Sequence, residues 1–191
     1  MMAPPQVRLD LFQNAAFDRQ RPAYLEALWV LVQAALVRSF IPGSAHRRLL
    51  LRAFGARIGR GVIVKPGVRV KFPWKLEVGD YSWVGEGAWI DNLAPVRIGA
   101  NCCISQEAYL CTGSHNWSKP SFDLIVRPIE LHDGAWVAAR AVVGPGVVVG
   151  EGAVLLLGAV ATKSLPPWTI NCGNPAQPIR ARELEEPLAA R

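Results

Sequence analysis

The chain has few residues of the types that bind metal ions or form disulfides. Its 191 residues include 4 cysteines and 3 histidines. No two cysteines form a CxxC pair, and Cys102 and Cys103 are adjacent, so the spacing predicts neither a zinc ribbon nor a disulfide framework. A catalytic zinc needs three protein ligands, commonly histidines. Only His115 and His132 lie in the repetitive region described below, which argues against a zinc enzyme.

The sequence also lacks a secretory signal and a run that could span a membrane. Residues 1–22 contain no basic segment followed by an apolar one. The apolar stretch after Pro22 is shorter than the about 20 residues that cross a bilayer. The net charge is +6, but no recognition-helix, RNA-binding or zinc-finger signature accompanies it, so we expect no nucleic-acid partner. These features predict a cytoplasmic protein.

What the sequence does have is a strict six-residue period. Each repeat places an aliphatic residue, then a small residue, then a glycine three places after the aliphatic, as in "VGPGVV" and "VGEGAV". Glycine, and the Asn101 that replaces it once, tolerate the positive φ that a tight corner requires. Each hexad therefore predicts a short strand plus a corner, and three hexads predict one triangular coil. The periodic positions, called stations below, are Ile58, Val64, Val70, Val78, Val84, Ile90, Ile98, Ile104, Leu110, Leu131, Val137, Val143, Val149, Leu155 and Ala161.

This pattern resembles the hexapeptide repeat of a large acyltransferase superfamily. The resemblance implies an all-β fold in which residues 58–173 form a left-handed parallel β-helix. Residues 1–57 are expected to form an N-terminal helical segment, and residues 174–191 a short C-terminal helix or tail. Proteins of this superfamily form trimers with active sites between subunits, so a homotrimer is expected here. Outward apolar residues such as Trp83, Trp89 and Tyr109 fit a buried subunit face.

The N-terminal segment contains an apolar helix followed by basic residues. Residues 22–42 are predicted to be helical, because Pro22 suits a first turn and Pro42 ends the helix. Two interpretations of residues 22–57 stay open. In one, this region is an interfacial anchor on the inner face of an anionic membrane. In the other, the helix packs on the β-helix or on its trimer partners.

The six-residue period breaks once, between Leu110 and Leu131, which are twenty-one positions apart. The break predicts an extruded loop over residues 112–130, and long loops in regular domains are usually functional. Its start, "TGSH", resembles the TGH-type loop of galactoside and maltose acetyltransferases, with Ser114 as an insertion. A longer similarity, over about residues 20–182, is to the sugar-polymer O-acetyltransferases named for colanic acid biosynthesis.

The resemblance implies a catalytic role for His115 in this loop. In this role the imidazole accepts the proton of an acceptor hydroxyl while that oxygen attacks the thioester of acetyl-CoA. The chemistry suits the residue, because an unperturbed imidazole has a pKa near 6.5 and is largely neutral at pH 7. Direct transfer of this kind needs proximity, a base and a donor for the developing oxyanion.

The resemblance also implies a groove for acetyl-CoA and a pocket for the acceptor. Trp136 would line the cofactor channel, and the backbone amide of Ala139 would face the thioester oxygen. Gly158 would let the backbone approach the pantetheine arm, and Thr162, Lys163 and Arg180 would lie near the pantetheine and the phosphates. Asp91 and Asn92 are candidate acceptor ligands, although a turn-stabilising role is the simpler interpretation.

The predicted function is an acetyl-CoA-dependent O-acetyltransferase acting on a sugar or polysaccharide precursor, such as a lipid-linked oligosaccharide, without a metal. Four alternatives remain: a non-catalytic β-helix scaffold, a zinc-dependent carbonic-anhydrase-like enzyme, an N-acetyltransferase on a nucleotide sugar, and a serine acetyltransferase. Thiol release from acetyl-CoA with a panel of sugars separates an enzyme from a scaffold.

Overall fold

The computed structural model describes residues 6–14 and 17–185. From Arg57 onward the chain forms a parallel β-solenoid of very short strands, wound into five complete coils and part of a sixth. The strands are β1 (Arg57–Ile58), β2 (Ile63–Val64), β3 (Arg69–Val70), β4 (Leu76–Val78), β5 (Trp83–Val84), β6 (Trp89–Asp91), β7 (Val96–Ile98), β8 (Cys103–Ile104), β9 (Tyr109–Cys111), β10 (Gly113–His115), β11 (Leu124–Val126), β12 (Ile129–Leu131), β13 (Trp136–Val137), β14 (Val142–Val143), β15 (Val148–Val149), β16 (Val154–Leu155), β17 (Val160–Ala161), β18 (Thr169–Gly173) and β19 (Ala176–Ala181).

Three parallel sheets form the walls of the solenoid. Sheet A contains β1, β4, β7, β12 and β15, and sheet C contains β3, β6, β9, β14 and β17. Sheet B contains β2, β5, β8, β13, β16 and β18. Each coil passes from sheet A to sheet B to sheet C, so the walls meet at three corners, named A–B, B–C and C–A. Strands of successive coils pair in register, for example Ile58 with Val78 and Val84 with Ile104.

The predicted repeat is confirmed by the core. All fifteen stations are buried. The residue two places before each station is buried as well and is often small, as at Ala88, Ala108 and Ala135. Each wall therefore sends two rows of side chains inward, which together fill the triangular interior. Burying one Val, Leu or Ile contributes about 1.5–3 kcal/mol, so the stacked coils stabilise one another mainly through this core.

Positive φ values occur at more corner residues than the glycine and asparagine positions of the repeat predicted. Asn101 has a φ of 54°, as expected from its place in the repeat. Tyr81, Glu107 and Arg140 also adopt φ values of 59°, 56° and 57°. In each of these three residues the backbone N–H donates to a carbonyl of the neighbouring coil at 2.8–2.9 Å. These hydrogen bonds hold side-chain-bearing residues in a conformation that costs about 1–3 kcal/mol.

All three departures from the six-residue spacing lie at the C–A corner, called the insertion corner below. The extra residues fall in 71–75, 91–95 and 111–128, and the first of these includes a helical turn at Pro73–Lys75. The three insertions are bonded to one another through two fully buried side chains, Asn92 and Thr112. The third insertion is a hairpin of β10 and β11, and it carries His115.

The N-terminal segment is helical as predicted and closes the first coil. Helix α1 spans Ala23–Val32 and continues as a π-helical turn at Gln33–Val37, and helix α2 spans Ala45–Ala53. Trp29 is fully buried and donates from Nε1 to the carbonyl oxygen of Val70 at 2.7 Å. One side of this segment is therefore packed on the solenoid.

The arginines of this segment bind backbone carbonyls. Arg47 is buried and donates to the carbonyl oxygens of four residues, which are Val37, Ser39, Ile41 and Gly43. Arg48 donates to Val62 at 2.8 Å, and Arg52 donates to Ile58 at 2.7 Å. The carbonyls of the first coil have no preceding coil from which to accept, and Arg48 and Arg52 satisfy two of them. Arg47 instead satisfies carbonyls of the segment between α1 and α2. Much of the basic cluster therefore has a structural role.

The opposite side of the N-terminal segment is apolar and uncovered in the single chain. Tyr24, Leu31 and Phe40 are 73%, 68% and 83% exposed. Among the described residues, no helix is both long and apolar enough to cross a membrane.

The C-terminal region differs from the expected helix or tail. Residues Ala176–Ala181 form strand β19, which pairs antiparallel with β18 at the end of sheet B. The physical reason is that β18 would otherwise present an unpaired edge at the last coil. Arg182 then donates to the carbonyl oxygens of Gly134 and Gly152 at 3.0 and 2.8 Å, which ties this region to sheet B.

Candidate functional site

His115 lies on the hairpin that projects from the insertion corner. The hairpin pairs Gly113 with Val126 and His115 with Leu124. Its first residue, Thr112, is fully buried, donates from Oγ1 to the carbonyl of Asp91 at 2.9 Å and accepts from the N–H of Ala94 at 3.0 Å. The hairpin is therefore rooted in the preceding coil, which gives His115 a fixed position relative to the solenoid.

The imidazole of His115 is held by one residue of the same hairpin. Nδ1 lies 2.9 Å from the carbonyl oxygen of Phe122, and the two rings stack at 4.4 Å with an angle of 9°. A carbonyl oxygen can only accept, so Nδ1 carries the proton and donates it. In the neutral ring Nε2 is then the basic nitrogen. Within residues 6–14 and 17–185, Nε2 has no hydrogen-bond partner.

A segment near the N-terminus, which is not a β-strand, contacts this hairpin. The N–H of Arg8 donates to the carbonyl of Pro120 at 2.8 Å, and the ring of Phe12 lies 5.9 Å from the ring of His115. The imidazole thus stacks on Phe122 and lies near Phe12. Neither phenylalanine was predicted to belong to the site, since both lie outside the six-residue repeat.

Trp136 and Ala139 lie together at the B–C corner. The indole of Trp136 is 40% exposed, and its Nε1 donates to the hydroxyl of Ser105 on the adjacent coil at 2.9 Å. Ala139 occupies the turn that follows, and its N–H has no acceptor among the described residues. This amide is available to an oxygen atom outside the chain, as the oxyanion role requires.

The other residues expected near the cofactor lie on the last coils, at different edges. Gly158 is at the B–C corner, whereas Thr162 and Lys163 follow sheet C at the insertion corner, since Leu165 then pairs with Val149 of sheet A. The N–H of Gly158 donates to the carbonyl of Ala139 at 3.0 Å, so these two corners stack directly. Gly158 has a φ of 66°, and a Cβ built there would meet no atom within 4 Å, which leaves open space beside the backbone. Thr162, Lys163 and Arg180 are exposed, and Arg180 lies on β19 opposite Ile170.

The single chain does not bring His115 to these residues. Ala139 precedes sheet C at the B–C corner, whereas His115 follows sheet C at the insertion corner. The chain from Ala139 to Gly144 crosses sheet C, and at about 3.3 Å per residue this crossing is roughly 16 Å. His115 and Ala139 therefore lie at opposite edges of one wall, whereas Thr162 and Lys163 lie at the same edge as His115.

Asp91 and Asn92 have different environments although they are adjacent. Asp91 ends β6 and accepts at Oδ2 from the hydroxyl of Tyr109 at 3.2 Å, and Lys71 Nζ lies 3.6 Å from its Oδ1. Burial raises the pKa of Tyr109, so this phenol stays protonated and donates. Asp91 does not orient His115, because the orienting acceptor is the Phe122 carbonyl.

Asn92 is fully buried, and both ends of its side chain are used by the backbone of Phe72. Its Oδ1 accepts from the Phe72 N–H at 2.9 Å, and its Nδ2 donates to the Phe72 carbonyl at 2.7 Å. The residue joins two insertions at this corner. The turn-stabilising interpretation describes it, and Asp91 is the member of the pair that remains a candidate acceptor ligand.

The second histidine of the repeat region is remote from the first. His132 follows sheet A, its side chain is 52% exposed, and its Nε2 lies 4.0 Å from Glu130. No three His, Cys, Asp or Glu side chains in the described ranges lie close enough together to hold a metal ion.

Comparison with known proteins shows which enzymes this chain resembles in sequence and in fold. No family model matches the chain. The protein named colanic acid biosynthesis acetyltransferase WcaF, from Escherichia coli (strain K12), is 41% identical over 157 residues, covering 81% of this chain and 86% of WcaF. Galactoside O-acetyltransferase from the same strain is 26% identical over 137 residues, covering 70% of this chain and 68% of that enzyme.

A solved structure shows the same solenoid. The hexapeptide-repeat acetyltransferase VCA0836 from Vibrio cholerae, complexed with acetyl-CoA, superimposes with a TM-score of 0.78 at 22% identity, covering 84% of this chain and 88% of that one. The fold predicted from the six-residue period is thereby confirmed as that of hexapeptide-repeat acetyltransferases. By its similarity to WcaF, the chain belongs to the acetyltransferase family that includes the colanic acid biosynthesis acetyltransferases.

Proposed function

We propose that the protein is an acetyl-CoA-dependent O-acetyltransferase that modifies a hydroxyl group of a sugar or of a polysaccharide precursor. The observation that carries the proposal is the hydrogen bond from His115 Nδ1 to the Phe122 carbonyl. This bond fixes the tautomer whose Nε2 accepts a proton, and the stacked Phe122 ring fixes the plane of the imidazole. A general base needs both of these.

The reaction transfers the acetyl group directly. The acceptor oxygen attacks the thioester carbonyl while Nε2 of His115 takes the hydroxyl proton. A tetrahedral oxyanion forms, and the Ala139 N–H donates to it. The carbon–sulfur bond then breaks, and the imidazolium returns its proton to the departing thiolate of coenzyme A. The acetyl ester and the free thiol are the products, and no covalent enzyme intermediate is needed.

Residues of the last coils fit the acyl donor. Acetyl-CoA carries a narrow pantetheine arm and several phosphates. The open space beside Gly158 and the exposed indole of Trp136 suit the arm. Lys163 and Arg180 are exposed cations at the end of the solenoid, where phosphate groups would be attracted. Thr162 is exposed and directly precedes Lys163.

The separation across sheet C requires a second copy to complete the site. The outer face of sheet A is charged, with ion pairs such as Arg97–Glu130 at 3.0 Å. Beyond helix α1 the outer face of sheet C is apolar and half-buried, with Tyr109 and Val142 paired in register. A closed trimer in which these later coils of sheet C face the threefold axis would place the insertion corner of one copy beside the B–C corner of the next. His115 and the acyl donor would then meet at each seam.

The acceptor is proposed to be a sugar because two similar enzymes are named for sugar substrates, galactoside and colanic acid. Asp91 ends strand β6 of the preceding coil. Its backbone carbonyl accepts a hydrogen bond from Thr112, which lies at the root of the His115 hairpin. A carboxylate at this position accepts hydrogen bonds from sugar hydroxyls. A lipid-linked oligosaccharide is one polysaccharide precursor of this kind.

The decisive experiment compares two histidine variants. His115→Ala should lower kcat for thiol release from acetyl-CoA by roughly 10²–10⁴, the range for a general base, with cofactor binding kept. His132→Ala is the matched control, because His132 is exposed at another corner and should leave kcat unchanged. Equal activity of the two variants would remove the mechanism, and absence of any thiol release from the wild-type protein with a full sugar panel would remove the function.

A further inference from the structure

A small pocket lies between helix α1 and the outer face of sheet C, apart from the groove described for the acyl donor. Its volume is about 230 Å³. Glu26 and Gln33 line the helix side. The sheet side is formed by Arg69, Lys71, Trp89 and Asp91.

The sheet side of the pocket is a column of stacked side chains. The Arg69 guanidinium carbon lies 4.3 Å from the centre of the Trp89 ring, and Trp89 stacks on Tyr109 at 4.6 Å with an angle of 23°. These three residues occupy the same register position on β3, β6 and β9. Tyr109 in turn is bonded to Asp91. A guanidinium held over an indole ring loses mobility, while N–H groups that point away from the ring can still donate.

Two cations, Arg69 and Lys71, and two carboxylates, Glu26 and Asp91, line the pocket. Lys71 lies 3.6 Å from Asp91, and Glu26 lies 3.8 Å from Arg19, which does not line the pocket. Arg69 forms no ion pair with any carboxylate in the part of the chain that the structure describes. The group that would complete the pocket is therefore an anion with two oxygens, since these match the guanidinium edge.

The pocket opens beside the root of the catalytic hairpin. Lys71 and Asp91 lie where strands β3 and β6 enter the insertion corner. Asp91 pairs with Cys111, and Thr112 follows as the first residue of the His115 insertion. A sugar that occupied this pocket would be at the same edge of sheet C as His115.

We infer that this pocket is an acceptor subsite that binds an anionic group, with the Arg69 guanidinium as its ligand. The inference rests on the proposed function, because it assigns the pocket to the acceptor of that reaction. The anion is a carboxylate on an acidic sugar or a phosphate ester, and both present paired oxygens to the guanidinium edge. The sugar ring beside that anion contacts the edge of Trp89, and a hydroxyl reaches Lys71 or Asp91.

The test is a ligand-observed NMR titration of the full chain with three probes. These are methyl glucopyranosiduronate with a carboxylate, glucose 6-phosphate with a phosphate ester, and the neutral methyl glucopyranoside. Arg69→Gln should weaken binding of at least one anionic probe by roughly tenfold or more, since a charge-assisted hydrogen bond contributes about 1.5–3 kcal/mol. Arg69→Lys should weaken binding of that probe less than Arg69→Gln, because lysine keeps the positive charge but cannot donate two parallel hydrogen bonds.

Arg57→Gln is the matched control. Arg57 has the equivalent outward position on β1, but it lies on sheet A and is paired with Glu77 at 2.8 Å. Its loss should leave all three titrations unchanged. Which anionic probe depends on Arg69 distinguishes an acidic sugar from a sugar phosphate.

Three outcomes overturn the inference. The first is equal affinity of wild-type protein and Arg69→Gln for both anionic probes. The second is that the neutral glucoside binds as tightly as either anion. The third is displacement of the bound anion by coenzyme A, which would assign Arg69 to the donor. These titrations measure binding and do not depend on turnover. They therefore test the pocket even if no thiol release is found and the proposed function is wrong.

Discussion

The placement of His115 and of most cofactor residues at different edges predicts that two inactive variants restore activity when they share a trimer. One chain carries His115→Ala and therefore lacks the base. The other carries Trp136→Ala with Arg180→Glu on the sheet B side, which removes the indole of the cofactor channel and makes a phosphate site repulsive. Trp136 and Arg180 are exposed, so these changes should leave the solenoid folded.

The size of the effect follows from counting seams. In the proposed trimer each seam uses His115 from one copy and Trp136, Ala139 and Arg180 from the next. Within one chain His115 and Ala139 are separated by roughly 16 Å across sheet C. Every trimer that contains both variants has one seam at which both halves are intact. Purified mixed trimers should therefore have about one third of wild-type activity, and an unselected random mixture about one quarter.

The assay needs mixed trimers of known composition. Co-expression with two different affinity tags and tandem purification isolates them. Thiol release is then followed at an acetyl-CoA concentration near the wild-type KM, where loss of phosphate attraction is visible. The control is the same pair of variants purified separately and mixed just before the assay, which should remain as inactive as either parent.

One result would refute the reasoning directly. If base and cofactor residues act within a single chain, every chain in the mixture carries a lesion, and mixed trimers stay as inactive as their parents. A monomeric protein with full activity would refute it equally. Retained activity in the charge-reversed parent would instead show that the cofactor lies elsewhere.

Four further outcomes are expected. Lys163→Ala should raise the KM for acetyl-CoA by roughly three- to tenfold with kcat kept, most clearly at low salt in steady-state assays. Phe122→Ala keeps the backbone carbonyl but loses the stacked ring, so kcat should fall by about tenfold while the KM for acetyl-CoA, measured in the same assay, stays constant. Asn92→Leu leaves a buried N–H and a buried C=O unpaired, and urea denaturation should show a loss of about 2–5 kcal/mol in unfolding free energy. Phe40→Asp should reduce co-sedimentation with anionic vesicles without changing thiol release, whereas unchanged sedimentation would favour contact with another subunit.

The architecture was predictable because the same six-residue pattern recurs in every coil. Val84, Ile104 and Val137 occupy equivalent places in successive coils, and each is buried for the same reason. A period of six that persists through so many stations specifies strand, corner and inward face together. The sequence also located the hairpin of His115, since Leu110 and Leu131 mark where the period stops and resumes.

Directions of side chains outside the repeat were less predictable. Asn92 lies in a two-residue insertion, where no period says which way a side chain points, and it turned inward to bind Phe72. Phe122 lies seven residues beyond His115 in an irregular hairpin, so only the hairpin register brings its carbonyl to the imidazole. In both cases the contact depends on turn geometry that composition and spacing do not contain.

The basic cluster after α1 shows a different limit of sequence reasoning. Arg47, Arg48 and Arg52 have the composition of a surface that attracts anions, but each donates to backbone carbonyls. Arg48 and Arg52 bind carbonyls of the first coil, at the open end of the solenoid, whereas Arg47 binds carbonyls of the segment between α1 and α2. One guanidinium can satisfy several such acceptors at once. The need for such donors arises only when the fold is known, so the same residues acquire a structural role.

The residues that distinguish this chain from a plain solenoid are concentrated where its repeat is interrupted. The stations and corners could be exchanged between coils with little consequence, because each supplies the same packing. The insertion corner cannot be exchanged in this way. It carries the hairpin of His115, it receives the carboxylate of Asp91, and the Arg69 pocket opens beside it. A variant that shortened the hairpin to a regular hexad would therefore be expected to keep the solenoid and lose acetyl transfer, because the coils need only their stations whereas the chemistry needs the interruption.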